Sequence, residues 1–90
     1  MNSTNIELDS TENRAFRSAG DLLAEVSPES KELIKTLTGI DFPMVTPDQV
    51  NAMKKALTIL SACLPKMNNY QYQVFTNIGN DLAHLKALKS

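Results

Sequence analysis

Tryptophan is absent from this chain, aromatic side chains make up only 6% of it, and it holds a single cysteine, Cys63, and a single histidine, His84. A lone cysteine cannot close an intramolecular disulfide, so the fold must stand on its core and its hydrogen bonds. Together the two residues supply too few soft ligands for zinc, and the acids show no ligand spacing. Gly20, Gly39 and Gly79 are scattered and form no phosphate-cradling loop. No arginine follows Arg17, which removes the commonest guanine-reading side chain from the C-terminal half. No apolar run approaches the roughly 20 residues of a membrane span, and no cationic start leads into an apolar stretch as in a signal peptide. The opening "MNSTNIELDSTEN" is polar and acidic instead. A reduced, cytoplasmic protein with no cofactor, no metal and no membrane segment is expected.

Ninety residues suit one domain, and a chain of this size hides only about 60 to 65% of its unfolded surface. Its core is therefore thin, and a partner chain is a natural source of further burial. A net charge of −1 argues against a surface given over to nucleic acid. The charge is unevenly placed: residues 1–48 carry nine acids and four bases, a net −5, while residues 49–90 carry one acid and five bases, a net +4. Either the halves attract one another in the fold, or the basic half offers a binding face.

The periodicity predicts an all-α, four-helix domain over residues 10–90 behind a flexible arm at 1–9, where only Ile6 and Leu8 are apolar. Helices are expected at about 10–26, 28–38, 47–64 and 69–88. Asp9 and Glu12 have capping-box spacing, as do Thr46 and Gln49, with Pro47 at the first helical position. Ser27 is a candidate cap for the second helix, and Gly39 fits a left-handed C-terminal cap. In the third helix Val50, Met53, Leu57, Leu60 and Leu64 step by three and four, with Ala56, Ile59 and Cys63 widening the apolar arc. That breadth predicts a central helix. Phe75, Ile78, Leu82 and Leu85 give the last helix a matching line. The short connection at 65–68 predicts that helices three and four form an antiparallel hairpin.

Chemistry is scarce. His84 lies three residues from Asp81 on a polar helix side, where no nucleophile is supplied, and reads as a surface histidine. Cys63 sits among aliphatics and reads as packing. A helix-turn-helix would need a turn of three or four residues, whereas eight separate the second helix from the third.

Apolar residues outside the helix lines carry the functional reading. The segment "IDFPMV" at 40–45 places Phe42, Met44 and Val45 in a loop, to plug the helix ends or to meet a partner. Ile59 extends the third helix's arc. Met67, Tyr70 and Tyr72 gather at the start of the fourth, with Tyr70 bordering its apolar line and Tyr72 expected to face outward. The chain thus reads as a non-enzymatic protein-binding regulatory module, an adaptor or antirepressor-type inhibitor, that self-associates as a homodimer. The alternative is a small DNA-binding transcription regulator that uses Lys54 and Lys55.

Overall fold

The computed structural model describes residues 6–39 and 44–84. The elements are β1 (Ile6–Glu7), α1 (Ser10–Val26), α2 (Lys31–Thr38), β2 (Met44–Val45), α3 (Pro47–Ala62) and α4 (Asn69–Leu82), with single 3-10 turns at Pro28–Ser30 and Leu64–Lys66. The domain is all-α with four helices, and its two strands form one two-residue ladder.

Side chains reaching back to backbone fix the start of three helices. At α1 the Glu12 N–H donates to the Asp9 carboxylate at 2.9 Å and the Asp9 N–H donates to Glu12 at 3.0 Å. Two otherwise unpaired donors are satisfied, and the Glu12 carboxylate can be buried because it has a partner and sits at the positive end of the helix dipole. Thr46 and Gln49 close the same box at α3, and Asn68 and Gln71 do so at α4.

The ends and the second helix depart from expectation in detail. Ser27 makes no capping bond; its hydroxyl lies 3.3 Å from that of Ser30, and the Ser30 N–H donates to the Ser27 carbonyl at 2.9 Å. Pro28 therefore opens a tight 3-10 turn, and the α-helix begins at Lys31. Gly39 is not left-handed, and its N–H donates to the Lys35 carbonyl at 2.9 Å, an ordinary helical bond. Helix α3 stops at Ala62, before Leu64, where Pro65 has no N–H to continue the helical ladder and the chain passes into the 3-10 turn. Beyond α4, Ala83 and His84 form a turn, and residues 85–90 lie outside the described part.

The expected arm at 1–9 is corrected from Ile6 onward. Ile6 pairs with Val45 and Glu7 with Met44 in the antiparallel ladder, and Leu8 is buried in the core. The ladder holds the entry of α1 against the entry of α3, so Val45 becomes part of the core at 1% exposure.

Helix α1 is the central element, and the expectation that α3 would be is also corrected. It packs against α2, α3 and α4, while α3 packs against α1 and α2. Buried positions on α1 run from Leu22 through Ala15, Ala19, Leu23 and Phe16 to Gly20, an arc of about 160° at 100° per residue. Those on α3, Val50, Met53, Ala56 and Leu60, cover about 120°. Alanine and glycine let neighbours approach α1 on several sides. The antiparallel hairpin of α3 and α4 does not form as a packed pair; α4 lies mainly on α1. Arg14 meets Asp81 and Glu25 meets Gln71, so α1 and α4 run antiparallel.

Candidate functional site

Helix α4 begins where the Leu64–Lys66 turn hands the chain to Met67, whose backbone is extended at φ −81° and ψ 140°. The Gln71 N–H donates to the Asn68 side chain at 2.8 Å and the Asn68 N–H donates to Gln71 at 3.0 Å. This fixes the first turn and hence the direction of its two tyrosines. Ile78 and Leu82 define the buried line of the helix, with Val74 and Phe75 half-buried against the core. Two residues are 200° of helix apart, so Tyr70 and Tyr72 fall on opposite flanks of that line, each about 100° from it. Both rings are exposed, Tyr70 at 71% and Tyr72 at 56%. The expected order is reversed: Tyr70 is the more exposed ring.

Tyr70 also forms one wall of an open groove of about 380 Å³ between α1 and α4. Ser18, Asp21, Leu22 and Glu25 line it from α1, and Val74 joins Tyr70 from α4. These α1 positions recur at three and four residues, so they share one face. Asp21 and Glu25 are exposed, and Glu25 accepts a bond from the Gln71 side-chain amide at 3.4 Å. The groove is anionic, with an aromatic wall and no basic residue in its lining. Nothing in the apolar periodicity marks Asp21 and Glu25; two acids one turn apart on the polar side of the helix are the signal that could have found them.

At the other end of the α1/α4 layer the Arg14 guanidinium donates to the Asp81 carboxylate, from Nη2 at 3.2 Å and Nε at 3.4 Å. The contact joins the two halves of the chain in the sense opposite to the one their net charges suggest, a base of the acidic half with the acid of the basic half. Asp81 is thereby engaged by Arg14, and His84 is exposed beyond it.

The remaining candidates are dispersed. Val45 is not a contact residue, because the ladder with Ile6 turns its side chain into the core. Phe42 and the Met44 side chain lie outside the described residues. Ile59 on α3 and Met67, just before the Asn68 cap of α4, are both half-buried against the core. Lys54 and Lys55 are consecutive on α3, the first half-buried and the second exposed, so they point about 100° apart. Cys63 is half-buried at the end of α3, nearer the surface than its place in the apolar line suggests. Among the described residues no group of three or more histidine, cysteine or acidic side chains could hold a metal ion, and no helix is long and apolar enough to cross a membrane. Comparisons with family models, with curated proteins and with solved structures give no match to this chain.

Proposed function

We propose that this chain is a non-enzymatic protein-binding module that regulates by occupying another protein's surface, as an adaptor or an antirepressor-type inhibitor does, and that it also associates with itself. One observation carries the reading: Tyr70 and Tyr72, the large apolar side chains left exposed among the described residues, project from opposite flanks of the first turns of α4. Tyrosine gives a large contact area at small entropic cost, and it is enriched among residues that dominate interfaces. Met67, just before the cap, is half-buried against the core and leaves an adaptable apolar edge at the helix entry. The capping box of Asn68 and Gln71 holds this surface in place before any partner arrives, which lowers the ordering cost of binding.

The test is co-purification from the native host with the wild-type chain and with Tyr70→Ser/Tyr72→Ser, at matched thermal stability. A protein retained by the wild type and lost by the variant is the expected result. An identical set recovered with both removes the two tyrosines from the function.

A further inference from the structure

The groove walled by Tyr70 has an apolar floor and a charged rim. Leu22 is buried and Val74 half-buried, so each can line the groove only from its base, whereas Asp21 and Glu25 are exposed. The two acids are one helical turn apart, a spacing at which like charges repel. Among the described residues neither carboxylate forms a salt bridge, and Glu25 accepts from the neutral Gln71 amide at 3.4 Å. Arg17, one turn before Asp21, is the nearest base on α1; it lies outside the lining and is engaged in a contact of its own. It offsets one of the two charges, so the three side chains together keep a net −1.

Apolar floor, acidic rim and aromatic wall complement one kind of side chain, a long methylene stem that ends in a cation. Lysine and arginine lay such stems along apolar surface and keep the charged head among polar groups. A neutral apolar side chain would leave the carboxylates unpaired, and phosphate would be repelled by them. The volume, about 380 Å³, lies near the lower end of the range for small-ligand sites, about 300 to 1,000 Å³, and suits one such side chain. We propose that the α1/α4 groove receives a lysine or arginine side chain from a basic segment of the partner protein. Its stem lies on Leu22 and Val74, and its charge sits between Asp21, Glu25 and the Tyr70 ring, which attracts cations. The proposal rests on the protein-binding reading above and adds the charge of the segment that this chain would grip.

Amide NMR shifts of the full chain test it at low salt, with the probe peptide acetyl-Gly-Arg-Gly-Arg-Gly-amide and a counterpart that carries norleucine in place of both arginines. The arginine peptide is expected to give saturable shifts at Asp21, Leu22, Glu25 and Val74, with weaker binding as salt rises, and the norleucine peptide to bind at least about tenfold more weakly. Asp21→Asn/Glu25→Gln should weaken the arginine peptide by about tenfold and Tyr70→Leu by about threefold, whereas Arg17→Gln should tighten it by about twofold, because it removes the nearest competing charge. No saturable shift in the groove, equal binding of the two peptides, or binding untouched by Asp21→Asn/Glu25→Gln overturns the proposal. Should a variant lose helix content by circular dichroism, the comparison of the two peptides on the wild type decides alone. Other occupants would show themselves without peptide: groove shifts that change on Lys86→Gln/Lys89→Gln assign the groove to the chain's own end, and groove shifts that follow protein concentration assign it to a second copy. Either result overturns the proposal, as does 1,4-diaminobutane binding as tightly as the arginine peptide, which would make the groove a site for free amines. In every one of these cases the co-purification with Tyr70→Ser/Tyr72→Ser still decides the protein-binding reading by itself.

Discussion

The two ends of the α1/α4 layer are built from the same pair of helices and finished differently. At one end Arg14 and Asp81 close the contact within the chain. At the other, two carboxylates and the Tyr70 ring are left around an open groove, with Tyr72 exposed on the far flank of the helix. The pair of helices is held together by the buried line between these ends, so neither end is needed to keep the fold. A region that contributes little to stability yet displays aromatic and charged groups is where binding can be placed without weakening the domain. Stability and binding should therefore respond to different residues.

The largest effect is expected between the ends. Phe16 is fully buried on α1, and Phe16→Ala should cost about 3 to 5 kcal/mol in urea denaturation, enough to remove both ends together. Val45→Ala should cost about 2 kcal/mol because its side chain lies in the core, and it should leave partner recovery intact once folded protein is compared. Loss of binding without loss of stability would return Val45 to the contact surface. Removing the box at the open end, Asn68→Ala, should cost about 1 kcal/mol and loosen the first turn that carries the tyrosines, seen as faster amide exchange there.

The ion pair at the closed end should matter less than its geometry suggests. The Arg14 side chain is 67% exposed, so solvent screens it, and Arg14→Ala should shift stability by under about 1 kcal/mol, with less effect at high salt. The smallest change in stability, within about 0.5 kcal/mol, should come from Tyr72→Ser, which is nonetheless expected to abolish partner recovery. A large stability loss on Tyr72→Ser would mean that the ring covers the helix end and does not serve as a contact.

Capping chemistry made the helix starts legible in the sequence. Asp9 with Glu12 and Thr46 with Gln49 mark the first residues of α1 and α3, and α1 spans Ser10–Val26 as its periodicity predicts. The choice of central helix was not legible, because counting large apolar residues favours α3, whereas Ala15, Ala19 and Gly20 give α1 the wider buried arc. Nor does the short connection at 65–68 identify a packing partner. It forces the chain to reverse, but the reversed helix is free to settle on α1. Ile6 and Leu8 alternate with polar residues over too short a stretch to read as a strand, and the ladder that places them pairs Ile6 with Val45 and Glu7 with Met44, across most of two helices in sequence. Of the candidate site, Tyr70, Tyr72 and Met67 were legible from residue type and helix position. Asp21 and Glu25 were hidden in a helix read only for its apolar face.

The most direct measurement is photo-crosslinking in the native host with benzoylphenylalanine at position 72, alongside the same probe at exposed Ser61 on α3. A discrete crosslinked protein at position 72 that is missing at position 61 is the expected result. No adduct at 72, or the same adducts at both positions, would contradict the assignment of the α4 start as the surface through which this chain acts.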